Sequence, residues 1–86
     1  MSRLREKYLN ELMGREDELW VKVNTLIEAK KAKEYEQAVN LLMDLKDLCL
    51  KQNKTAEFRN RLKVIYEENS RKTAFIRRLG ENNLKL

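Results

Sequence analysis

Fourteen carboxylates, nineteen basic groups and one thiol are the side chains with which this chain could do chemistry, and it has no histidine. Without histidine, general-base and metal-ligand roles lose their commonest side chain. A single cysteine does not build a thiolate zinc site. No Gly-rich loop is present to cradle a phosphate, and no Asp-rich loop resembles a calcium hand. Glu11, Glu18 and Asp44 read as helix-face charges, because a catalytic carboxylate pair needs a perturbing pocket that nothing in the pattern marks. Cys49 falls on an apolar helical stripe and reads as a small core residue rather than a reactive thiol. The sequence therefore predicts a non-enzyme with no catalytic residue, cofactor, metal or small-molecule substrate.

The basic groups offer a different chemistry. Arg59 and Lys63 are four apart and share one helix face, while Arg71, Lys72, Arg77 and Arg78 lie around and within a short last helix. These six are the candidate phosphate contacts. Their charge is regional: residues 1–43 hold eight basic and eight acidic side chains, so the net +5 arises entirely from residues 44–86. An acidic partner would be drawn to that half, although a small domain also needs net charge for solubility. Glu67 and Glu68 interrupt the set, and no aromatic side chains interleave with it as a stacking platform requires. Neither turn beside these helices carries the Gly that often marks a helix-turn-helix. Weak nucleic-acid binding is therefore the alternative, and a helical protein-interaction or accessory module the leading reading.

The elements that would hold these groups are helices. One chain of 86 residues has room for a single domain. Pro is absent and Gly occurs only at positions 14 and 80, so little punctuates a helix. With 42% apolar and 38% charged residues, the composition suits helices with one buried face rather than a disordered chain. Leu4, Tyr8, Leu9, Leu12 and Met13 give a first stripe, capped by Ser2. Whether Gly14 breaks this helix or only bends it is left open. Leu19, Trp20, Val23, Leu26 and Ile27 give the clearest stripe, with an acidic first turn at 16–18 and a basic last turn at Lys30 and Lys31. The link that follows is placed at Lys31–Glu34, where no large apolar residue occurs. The seam Tyr35, Ala38, Leu42, Leu45, Cys49 is broadened by Val39, Leu41 and Leu48, which puts the third helix at the centre. Thr55 and Thr73 are the expected N-caps of the last two helices and Gly80 the expected residue after the final one.

The expected object is an all-α, up-and-down array: helices near 3–13, 15–31, 35–52, 55–70 and 73–79, with residues 1–14 as a protruding or docking helix and 80–86 as a tail. The predicted core comprises Leu19, Val23, Ile27, Ala38, Val39, Leu42, Leu45, Cys49, Phe58, Leu62, Ile65, Phe75 and Leu79. Tyr8, Leu9, Leu12, Met13 and Trp20 are the candidate protein contacts, for a homodimer or a neighbouring domain, with Trp20 read first as a core anchor because it sits at a stripe position and only second as a half-exposed contact. No apolar run is long enough to span a membrane. A lone cysteine and no secretory signal point to a reducing, cytoplasmic setting.

Two resemblances accompany this reading. Tyr35, Ala38 and Val39 match the start of the second helix of tetratricopeptide-type helix pairs, although Leu26 falls where that repeat places its tight-packing Gly and no second copy follows. Over a longer stretch, a Trp-containing helix is followed by Tyr35-Glu36-Gln37-Ala38-Val39-Asn40-Leu41-Leu42 and Asp44-Leu45-Lys46-Asp47-Leu48. The stretch continues through Phe58-Arg59-Asn60-Arg61-Leu62 and ends in Arg71-Lys72-Thr73-Ala74-Phe75-Ile76-Arg77-Arg78-Leu79. This looks like the helical carboxy-terminal region of bacterial SWIM zinc-finger proteins. The resemblance implies an accessory module to a domain that binds nucleic acid or protein. The zinc-ligating part is missing here, so no ligand residue carries over.

Overall fold

The computed structural model describes residues 3–86, which are all-α: α1 Arg3–Leu12, α2 Glu16–Glu28, α3 Ala32–Lys51, α4 Thr55–Glu68 and α5 Thr73–Glu81. The expected cap at Ser2 lies outside the described residues. Gly14 separates α1 from α2. Its φ of +86° is a conformation that a side chain makes costly, and the Arg15 N–H donates to Leu12 O at 3.0 Å across the turn.

Helix α3 touches each of the other four, most extensively α2. Its buried residues are Tyr35, Ala38, Val39, Leu42, Asp44, Leu45, Leu48 and Cys49, so more than one face is covered. All of the predicted core is buried except Leu19, which packs half-buried at its edge. Trp20 goes inside instead, its ring 5.8 Å from that of Phe58, which ties α2 to α4. Tyr35 and Phe75, 5.5 Å apart, tie α3 to α5 in the same tilted geometry. Leu9, Leu48 and Leu84 are fully buried as well, although the sequence did not place them in the core.

Several boundaries differ from expectation, and each has a backbone cause. The α2–α3 link is 29–31 rather than 31–34, because Lys30 adopts φ +57° and α3 begins at once with Ala32, Lys33 and Glu34. A gap in large apolar residues is therefore the exposed first turn of a helix, not a loop. Helix α2 consequently has no basic last turn. Thr55 and Thr73 are first helical residues, and Lys54 and Lys72 occupy the cap positions without a side-chain cap bond. At the end of α3, Asn53 takes φ +57° and the Lys54 N–H donates to Cys49 O at 2.7 Å, a closure that consumes the residue before the threonine.

Gly80 is not the terminating residue. It lies within α5, and Asn83 (φ +60°) ends that helix, with the Leu84 N–H donating to Leu79 O at 3.0 Å. This is the Schellman arrangement, and its accompanying apolar contact explains why Leu84 packs inward. A side chain at Gly80 would meet only the flexible end of Lys85, at 3.6 Å. Gly80→Ala is therefore expected to stabilise the fold by roughly 0.5–1 kcal/mol, read as a higher urea midpoint with an unchanged slope.

Candidate functional site

The outer strip of α3 is the part that its neighbours leave open. Asp44, Asp47, Leu48 and Lys51 share the face on which α1 rests. There Arg5 Nη1 lies 2.7 Å from Asp44 Oδ1 and Arg5 Nη2 2.8 Å from Asp47 Oδ2. The Tyr8 hydroxyl donates to Asp44 Oδ2 at 3.0 Å, and Lys51 reaches Asn10 and Glu6. Three and four residues around the helix, Met43, Lys46 and Leu50 form a different face. Leu50 is 64% exposed, and Met43 is exposed too.

Beside Leu50 the chain forms a groove of about 340 Å³ between α3, α4 and residues 83–86. Its floor is built from Phe58, Leu62 and Leu84, all buried. Leu50 and Leu86, the latter 54% exposed, wall it. Lys46, Arg59 and Lys85 line it as well, and no acidic side chain does. The apolar lining follows from two local events. Helix α4 turns Phe58 and Leu62 toward α3, and the closure at Asn83 folds Leu84 back against Leu79.

Two hydrogen bonds hold the tail that makes one wall. Lys46 Nζ donates to Asn83 O at 3.0 Å, and the Tyr66 hydroxyl donates to Leu84 O at 2.7 Å. Burial raises the Tyr66 phenol above its ordinary value. A phenol whose folded pKa is raised supports the fold fully below the unfolded value near 10, and that support is lost as pH rises through the folded value. Spectrophotometric titration is expected to find a phenol ionising above the usual tyrosine range that disappears in Tyr66→Phe. The same variant should lower stability by about 0.5–1.5 kcal/mol and loosen residues 83–86. The Tyr8 phenol is also raised, first by burial and then by its bond to Asp44, so Tyr8→Phe is the matching control.

The six candidate phosphate contacts do not converge. Arg59 faces the groove just described. Arg71 and Lys72 border a polar depression at the α4–α5 turn, together with Glu67 and Glu68. Arg77 and Arg78 border a third depression with Glu36 and Glu81, and Lys63 is exposed on α4. Several are also engaged. Lys72 Nζ donates to Asn69 Oδ1 at 2.7 Å and lies 3.5 Å from Glu28, Arg77 lies 3.5 Å from Glu81, and Arg78 donates to Ala74 O. Lys46 and Lys85, which the sequence pattern does not single out, stand with Arg59 instead. A cation at position 46 between Met43 and Leu50, off the main apolar seam, was the available signal.

Among the candidate protein contacts, Leu9 and Trp20 are buried within the chain and Leu12 is half-buried. Arg61 covers the Trp20 ring at 5.2 Å from its centroid. Tyr8 and Met13 remain exposed, along with Leu4. The Cys49 thiol is buried, which with Glu57 and Glu16 nearby pushes its pKa up and disfavours the reactive thiolate. Among the described residues no group of three or more metal-ligating side chains gathers, and no helix is long and apolar enough to cross a membrane.

Comparison with protein-family models, curated proteins and solved structures finds no match to this chain.

Proposed function

We propose that this chain is a non-catalytic helical interaction module that docks a protein partner, with α2, α3 and α4 running up and down as their short connections require. The observation that carries this reading is the groove between α3, α4 and residues 83–86, where exposed Leu50 and Leu86 flank a buried apolar floor. Apolar surface that a small chain leaves open beside such a floor is the usual mark of a protein contact. The scatter of the basic groups over three separate depressions favours it over nucleic-acid binding, which needs a coherent cationic track. The resemblance to the helical region of SWIM zinc-finger proteins, which implies an accessory to a domain that binds nucleic acid or protein, fits an accessory role without choosing between the two partners.

Titration with duplex DNA and with single-stranded RNA across a salt series tests the reading. Weak, non-specific binding is expected at low salt and none near physiological salt, because each phosphate contact releases counterions. Reversing charge with Arg71→Glu and Arg77→Glu should remove that residual binding and leave the helical spectrum unchanged. Tight binding that survives physiological salt, or a clear sequence preference, would replace the protein-docking reading with the nucleic-acid one.

A further inference from the structure

The groove's charge says more about its occupant than its shape does. Lys46, Arg59 and Lys85 come from α3, α4 and the tail, three separate parts of the chain, and line one apolar trough with no acidic side chain among its lining residues. Other cations meet carboxylates: Arg5 faces two aspartates, Arg77 faces Glu81, and the depression beside Arg78 contains Glu36. Desolvating three like charges on docking is costly unless the partner brings opposite charge. Apolar floor and cationic lining together match one ligand chemistry, an apolar stripe bordered by carboxylates.

We propose that the groove takes an acidic amphipathic helix from a partner protein. Its aliphatic side chains seat between Leu50, Phe58 and Leu62, and its carboxylates face Lys46, Arg59 and Lys85. This rests on the protein-docking reading and narrows it to a partner class. A cavity of about 340 Å³ is at the small end for a bound organic ligand, and it opens onto the outer strip of α3 where Met43 continues the apolar face. A helix laid in a groove, anchored at i, i+4 and i+7, uses both features.

The test uses the whole chain and two synthetic helices with the same leucine stripe, one flanked by glutamates and one by lysines. Fluorescence anisotropy at physiological salt is expected to show binding of the acidic peptide only. The double variant Arg59→Glu/Lys85→Glu should weaken it at least about tenfold, since like-charge juxtaposition is strongly unfavourable. Leu50→Asp should weaken it comparably, and both variants change exposed positions, so a retained thermal transition shows that the fold is intact. Equal binding of both peptides would overturn the acidic-partner assignment while leaving protein docking in place, and so would binding to neither. Concentration-dependent sedimentation of the chain alone, abolished by Leu50→Asp, would assign the groove to a second copy and also overturn the proposal. Failure of the underlying reading shows up separately, in the nucleic-acid titration at physiological salt.

Discussion

Leu42→Ala is expected to lower unfolding free energy by roughly 2–5 kcal/mol, the largest loss from any single truncation considered. Leu42 is fully buried in the middle of α3, the helix that all the others touch. Removing its side chain leaves a void whose walls belong to several helices, so no single helix can shift to fill it without disturbing another. Small domains have a total stability of only about 5–15 kcal/mol, so the variant is expected to melt well below the parent or to be partly unfolded at room temperature. Urea denaturation followed by circular dichroism measures it. A midpoint equal to that of the parent would show that α3 is not the organising helix.

Leu9→Ala should produce a local effect rather than a global one. Leu9 is the one buried residue of α1, and both it and Leu48 stand outside the main apolar cluster. The remaining hold on α1 is ionic and partly exposed: Arg5 with Asp44 and Asp47, Lys51 with Glu6, and the Tyr8 bond to Asp44. An exposed pair such as Lys51 with Glu6 contributes little and is screened by salt, whereas the Arg5–Asp44 pair, whose carboxylate is buried, is screened less. Truncating Leu9 removes the apolar anchor, and α1 can then swing out at the Gly14 turn while α2–α5 keep their core. The measured global loss is thereby limited to the docking free energy of α1. Hydrogen exchange should show amides of 3–12 losing protection while those of α3 keep theirs, and raising salt should accentuate the difference. Equal loss of protection across α1 and α3 would show that α1 is integral to the core. Partner peptide binding in the α3–α4 groove should be unaffected, since Leu9 does not line it.

Periodicity determined the helical class, the central place of α3 and most of the core, though not Leu9, Leu48 or Leu84. Both follow from the same cause, the geometric rule that residues three and four apart share a helix face. Breaks were less legible. The link placed at 31–34 lies at 29–31 because Lys30, whose side chain gives it no preference for left-handed backbone, adopts it. Gly80 sits inside a helix that Asn83 ends, and there the asparagine, which tolerates that backbone, is the signal in the sequence. Which basic residues would stand together was not legible at all. Arg59 and Lys63 are neighbours along α4, yet only Arg59 meets the groove, and its companions Lys46 and Lys85 lie far away in sequence. That grouping depends on how α3, α4 and the tail pack, and on Tyr66 and Lys46 bonding the tail in place. Helical periodicity is a local property that a single segment displays. A site shared by three segments exists only once tertiary packing has set their distances, so the sequence determined the faces and the folded chain decided which of them meet.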